Sequence, residues 1–396
     1  MSTYLRTLAV FACMLANSSG TLAQELVLGY SGSSTGPSAT LSKHNDVAIE
    51  VALEEINGAG GVNGKKLVLR SFDTGGKPDQ AVVAVQQFAQ DLSALAVVGP
   101  LTTGECRAAF PVGERLGISQ MSMGSSAPKV AAPFSYAFRN TVEENYTWER
   151  IFRTIDRKGY AHSSAAIAYA TDDSFSQAVG TGVLPTRLTA ANIPQTDTVT
   201  FRVSSFDLSA QVSQLMQKPS DLIAVGAQTD VLLRFVTELR RQGHKGRILG
   251  SSGIADADLP ERMGPNGEGT LIGATFYSGI EDARVQSFVE RFKAKLKVAG
   301  ETGIEPSQFD AASYDIVFMY AEAMKRAKVT GDKTKLAEER TAIRDELRKM
   351  KDFPAIVGNL SMGPEGDVIK TIYILEAKAN KWVLVDKHPP ELAQSK

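Results

Sequence analysis

Cysteine is nearly missing from this chain of 396 residues, which has two, Cys13 and Cys106. Cys13 falls inside an apolar stretch, Leu8 to Ala16, that follows Arg6 and gives way to Asn17-Ser18-Ser19-Gly20 and Thr21-Leu22-Ala23. That order predicts a secretory leader over residues 1–23, cleaved near Ala23, and the stretch is too short to span a bilayer of about 30 Å. Loss of the leader leaves Cys106 alone, which excludes an intrachain disulfide even in an oxidising compartment. In the segment CRAAFPVGERLG, Cys106 reads as a small packing residue. Histidine is also scarce: His44, His162, His244 and His388 are scattered and give no metal-ligand cluster, so no metal or other cofactor is expected. Charge of one sign is not in excess. Without Arg6 there remain 42 Lys+Arg against 44 Asp+Glu, a formal net charge of −2, which offers no basic field to nucleic acid or lipid.

What the chain has in quantity is alternation. About 370 mature residues exceed what one hydrophobic core usually supports, yet no linker rich in Pro, Ser or charge divides them. Short apolar strands alternate with amphipathic helices throughout, predicting an α/β fold of two doubly wound lobes that exchange the chain more than once. Strands are expected at Leu26 to Tyr30, Lys66 to Phe72, Ala94 to Val98 and Ser119 to Met121, with helices at Asn45 to Asn57, Asp79 to Ala89 and Thr103 to Leu116. The pattern restarts with helix Glu143 to Lys158, strand Ala165 to Ala170, helix Ser174 to Ala190 and strand Thr196 to Thr200. It continues through strands Leu222 to Val225, Arg247 to Leu249 and Leu271 to Tyr277 and closes with a hairpin around Lys378-Ala379-Asn380-Lys381.

Three loops stand out: Leu26 to Ala39, Val97 to Glu105 and Ser119 to Pro128. Each leaves a strand and carries several hydroxyls with almost no charge. In a parallel sheet such loops gather at the carboxyl edge, where open α/β folds bind ligands, so they describe a cleft for a small polar molecule. The glycine run Gly58 to Gly64 follows a helix and enters a strand, the reverse of a dinucleotide-binding turn, and reads as a helix cap. Gly32-Ser33-Ser34-Thr35-Gly36 matches G-x-S-x-G and makes a serine ester hydrolase using Ser34 the enzymatic alternative. Ser34 follows the first strand, however, so no earlier oxyanion loop precedes it, and no histidine is placed as its base. The expectation is a binding protein, not an enzyme.

The run DVAIEVALEEINGAGGVNGKKLVLRSFDTGGKPDQAVVAVQQFAQD (Asp46 to Asp91), followed by VVGP and ERLGISQMSMGSSAP, resembles the periplasmic solute-binding proteins of the branched-chain amino-acid (Leu/Ile/Val-binding) family. The resemblance implies two Rossmann-like lobes, a type I periplasmic binding protein with its ligand between them, joined by three crossovers near residues 141–145, 275–278 and 362–370. It places lobe 1 at residues 24–142 plus 277–362 and lobe 2 at 143–276 plus 363–396. It further implies a periplasmic monomer that captures a solute by hinge closure and hands it to an ABC-transporter permease. A periplasmic receptor signalling through the same cleft is the alternative.

Carried over residue by residue, the first-lobe grip falls on Thr103, Gly124 and Ser126, and the second-lobe positions on Phe175, Gln228 and Ser252, with Tyr277 at the second crossover. Hydroxyls and a helix start suit a carboxylate. The second lobe departs from the amino-acid pattern, because Ser252 stands where a carboxylate receives the substrate ammonium and Gln228 where a Tyr is usual. Either the ligand is a carboxylate without an ammonium, such as an aromatic acid, or Asp230, Asp172, Asp256 or Glu105 supplies the charge to an amino acid.

Overall fold

The computed structural model describes residues 25–391, so the expected leader lies outside the described residues. Five parallel strands form the first sheet: β1 (Leu26–Gly32), β2 (Leu67–Asp73), β3 (Ala96–Val98), β4 (Ser119–Ser122) and β5 (Ala137–Arg139), in the order β2-β1-β3-β4-β5. The second sheet holds β6 (Ala165–Ala170), β7 (Gln195–Phe201), β8 (Leu222–Gly226), β9 (Arg247–Gly250) and β10 (Leu271–Ala274), extended by the antiparallel β14 (Ile372–Lys378) and β15 (Lys381–His388). Its order, β15-β14-β10-β9-β8-β6-β7, repeats the winding of the first. In both lobes the first strand of the unit lies between the second and the third, so each has its switch point there, and each sends its loops from the carboxyl edge. The central strands are short and buried on both faces, β3 and β8 throughout, which is why they read as unbroken apolar runs.

Helices cover both faces: α1 (Ala39–Gly58), α2 (Pro78–Gln90) and α3 (Thr103–Leu116) in the first lobe, then α4 (Glu144–Arg157), α5 (Ser174–Ala178), α6 (Leu184–Ala190), α7 (Ser209–Met216), α8 (Thr229–Arg241) and α9 (Leu259–Met263) in the second. The chain then returns to the first lobe through α10 (Ala283–Val298), α11 (Gln308–Arg326) and α12 (Leu336–Arg348). A small antiparallel sheet, β11 (Phe353–Pro354), β12 (Asn359–Met362) and β13 (Val368–Ile369), precedes the final crossing into β14.

Four local expectations need correction. The helix expected over Ser174 to Ala190 is broken by a π-turn at Val179–Val183. Gly180 lies so close to β6 that a Cβ there would sit 2.1 Å from the Tyr169 ring, and the wider turn lets the backbone pass. The first helix begins at Ala39, not Asn45, because the polar segment is held in place: Ser42 Oγ accepts the Ser33 N–H at 2.8 Å and lies 3.2 Å from the Tyr30 hydroxyl. The strand expected to reach Tyr277 ends at Ala274, since the next amide, Thr275 N–H, donates to the Gln308 side chain at 2.9 Å. The three small strands and β5 had no place among the expected elements, being only two to four residues long.

The first and third passages between the lobes are tied to each other, and the first and second to the start of α11. Asn140, after β5, donates from its side chain to Ala312 O at 3.0 Å, and Lys370, before β14, donates to Asn140 O at 2.9 Å. Burial pulls the Lys370 amine down to about 8, with Asp315 pulling the other way.

Candidate functional site

Thr103 is the first residue of α3, set there by a capping box in which Thr102 and Glu105 satisfy each other's backbone N–H groups. Its hydroxyl lies 3.1 Å from Ser125 Oγ, which joins the loop after β3 to the loop after β4. In that second loop Gly124 has no room for a side chain: a Cβ would lie 2.7 Å from Leu101 O. The loop is clamped from below by Arg139, fully buried, whose guanidinium donates to Ser125 O at 3.3 Å and Ala127 O at 2.5 Å and pairs with Asp367. Thr141 Oγ1 holds Ser125 O at 2.5 Å.

Ser126 meets the second lobe. Its hydroxyl donates to Glu144 Oε1 at 3.1 Å and lies 3.3 Å from Ser252 Oγ, while its carbonyl accepts the Glu144 N–H at 2.9 Å. Ser252, in the loop after β9, donates to the same Oε1 from its hydroxyl and, at 3.1 Å, from its backbone N–H. Phe175 belongs to this group by packing: a Cβ on Gly253 would come within 2.8 Å of its ring, and its cluster includes Cys106 and Phe110 of the first lobe. Gln228 stands at the N-cap position of α8 and donates its side chain to Asp173 Oδ1 at 2.9 Å, and Asp173 caps α5, the helix that carries Phe175. Tyr277 stands apart from these residues, edge-on to Tyr373 with centroids 6.0 Å apart and packed on the second-lobe core.

The central group, Glu144, is the residue that sequence reasoning missed. It is fully buried, opens α4, and among the described residues has no ion pair with Lys, Arg or His. Burial pushes its carboxyl up to about 7, against the opposing pull of the Ser252 and Ser126 hydrogen bonds. Oε1 accepts three bonds, whereas Oε2 has none at normal geometry, with the Trp148 indole one turn on bearing on the same carboxyl.

The four acids weighed from the sequence are engaged elsewhere. Glu105 is consumed by the α3 cap and by Thr74 Oγ1 at 2.5 Å. Asp230 pairs with Arg262, Asp172 accepts from Val203 N–H at 2.8 Å, and Asp256 bonds to Thr229. Ser34 is exposed, and among the described residues no histidine bonds to it. Cys106 is buried with its thiol pushed up to about 12 and is therefore an unreactive packing residue.

The arrangement is a two-jawed clamp with hydroxyls and a helix N-terminus on one jaw, a serine loop on the other, and one uncompensated acid where they meet. No helix among the described residues is long and apolar enough to cross a membrane. The model of the family described as periplasmic binding protein matches residues 25–381. A Leu/Ile/Val-binding protein homolog of Brucella melitensis is 25% identical over 381 residues, covering 93% of this chain and 95% of its own. The leucine-, isoleucine-, valine-, threonine- and alanine-binding protein of Pseudomonas aeruginosa is 23% identical, covering 87% and 88%. Among solved structures, the branched-chain amino acid transporter substrate-binding protein of Streptococcus pneumoniae in complex with isoleucine matches with a TM-score of 0.79 at 21% identity, covering 92% of this chain and 100% of its own. A solute-binding protein of an ABC transporter from Rhodopseudomonas palustris, in complex with 3,4-dihydroxybenzoic acid, matches with a TM-score of 0.79 at 18% identity, covering 93% and 98%. This chain, two doubly wound lobes with their serine-bearing loops face to face, belongs to the periplasmic binding protein family.

Proposed function

We propose that the solute is an α-amino acid with an apolar side chain, captured in the periplasm and delivered to an ABC-transporter permease. The observation that supports this most is Glu144: a fully buried carboxyl group between the lobes, with three neutral donors on one oxygen and no cation among the described residues. A buried carboxylate without a partner is costly, and a substrate ammonium at Oε2 supplies the missing charge. The carboxylate end of the same molecule then meets the hydroxyls of Thr103 and Ser126 and the N-terminus of α3. The acid thus sits on the first crossover in place of the position held by Ser252. The side chain of the solute packs against Phe175. Gln228 acts behind it through Asp173, and Tyr277 packs the hinge. Lobe 1 is taken as residues 24–142 plus 277–362 and lobe 2 as 143–276 plus 363–396, closing about the tied crossovers.

A second reading has one observation in its favour. Glu144 titrates near neutrality, and when protonated it is a donor suited to an acid without an amino group, the kind of ligand held by the Rhodopseudomonas palustris neighbour. Thermal unfolding separates the two. Leucine, isoleucine, valine and phenylalanine are compared with 4-methylpentanoate, 3-phenylpropionate and 3,4-dihydroxybenzoate on refolded protein. A ligand at 100 times its dissociation constant adds about 2.7 kcal/mol of stability. Stabilisation by an amino acid but not by its deaminated counterpart is expected. Stabilisation by the acids alone overturns the amino-acid reading.

A further inference from the structure

Gln308 is buried at the mouth of α11, held as the first helical residue by a capping box between Ser307 and Asp310. It belongs to the first lobe, yet both ends of its side chain are spent on the second. Oε1 accepts the Thr275 N–H at 2.9 Å, and Nε2 donates to Ser252 O at 2.6 Å. The two partners differ in how far they move. Thr275 is the residue after β10, where the chain passes back to the first lobe, so it sits at the pivot. Ser252 lies in the loop after β9, whose hydroxyl and N–H reach Glu144 and whose hydroxyl faces Ser126.

A primary amide is the side chain that can serve both partners, because it offers an acceptor and a donor in one plane. Aspartate or glutamate in its ionised form would face the Ser252 carbonyl with an oxygen, and leucine would leave the Thr275 amide without its partner. The Ser252 backbone is therefore fixed from one side by Gln308 and from the other by Glu144, and neither bond uses an atom of a solute.

We infer that Gln308 is a positioning residue for capture: anchored at the pivot through Thr275, it latches the Ser252 loop as the lobes come together. The inference rests on the two-jawed clamp proposed above but not on the identity of the solute. The latch makes the closed arrangement one that the protein visits on its own, so that a solute shifts an existing equilibrium.

The test is made on ligand-free protein, which keeps it separate from the amino-acid reading. Spin labels are placed through Lys77→Cys and Gln177→Cys, exposed positions on either side of the edge where Gly104 approaches both Pro78 and Ser174. Cys106, buried, stays unlabelled. Pulsed electron spin resonance then reads the distance between the lobes. In Gln308→Leu the short-distance population should fall by about fivefold, the weight of one lost hydrogen bond. Gln308→Glu keeps the acceptor for Thr275; compared with wild type at the same pH, so that titration of Glu144 and Asp310 cancels, it should show the same fall near pH 8 and recover near pH 4, where the protonated carboxyl again donates to Ser252 O. Distance distributions that are the same in wild type and both variants overturn the latch, as does a loss in Gln308→Glu that no drop in pH restores. A merely structural role would lower the unfolding temperature without moving the distances.

Discussion

Glu144 decides the chemistry at the scale of single residues because its two protonation states make opposite demands. In the ligand-free protein its carboxyl is raised to about 7, from an ordinary value of 4.5. The folded state thus holds a proton that the unfolded chain has released. Its contribution to stability is complete below the unfolded pKa and is lost as pH rises through about 7. Relative to Glu144→Gln, wild type should lose on the order of 3 kcal/mol between about pH 4 and pH 8, as measured by urea unfolding at each pH. Binding of an amino acid runs the other way, since an ammonium requires the carboxylate. Affinity measured calorimetrically should rise close to tenfold per pH unit below the Glu144 pKa and flatten above it, and Glu144→Gln should abolish the slope. On the opposite jaw, Ser126→Ala and Thr103→Ala should each weaken binding by roughly 1 to 3 kcal/mol if their hydroxyls meet an ionised carboxylate. Unchanged affinity in both variants would remove them from the site.

At the scale of elements, the most specific local device is the π-turn between α5 and α6. Gly180→Ala would drive a methyl group into the Tyr169 ring, with an expected loss of roughly 1 to 3 kcal/mol in thermal unfolding, the range of an overpacked core. The same segment explains why some of the fold was legible in the sequence and some was not. Helix Thr103–Leu116 and strand Ala165–Ala170 fall where periodicity and flanking residues place them, because their signals are local: a threonine cap followed by glutamate, and a continuous apolar run. The break at Val179 is set by a strand pressing on a glycine, a contact between distant parts of the chain that spacing does not carry. Glu144 was hidden for a related reason. Glu143 and Glu144 are an acidic pair at a helix start, ordinary chemistry for a helix N-terminus. Only the fold separates Glu143, which accepts the Lys129 N–H at 3.0 Å, from Glu144, which faces Ser252. A signal did exist in the absence of an acid at the Ser252 position, which called for one elsewhere. The loops weighed for it were those of the carboxyl edges, not the crossover.

At the scale of the whole molecule, the two lobes are joined through polar contacts at the crossovers, among them the doubly bonded pair of Arg139 with Asp367. The guanidinium is fully buried and the pair links the end of β5 to the approach to β13. Asp367→Ala would leave the buried cation with only the more distant Glu143, at 3.8 Å, and should cost up to about 3 to 5 kcal/mol, lowering the unfolding temperature of the molecule as a unit. Two separate transitions in calorimetry, with the second unchanged, would instead mean that the pair serves the first lobe alone.

Arg139 has a further consequence for how such a clamp acquires new tastes. By gripping Ser125 O and Ala127 O while bound to Asp367, it makes the loop that carries Ser126 part of the same rigid piece as the crossovers. A substitution there disturbs the bearing on which the jaws turn. The Ser252 loop has no buried arginine gripping it among the described residues; Gln308 and Glu144 hold Ser252, and Trp382 holds Asp256 O at 2.8 Å from within the second lobe. Variation that retunes this protein toward another solute therefore has a preferred route. Changes accumulate in the loop after β9 and around Phe175, while the hydroxyl jaw stays as it is, so that a descendant with a different cargo keeps the same fixed half of its grip.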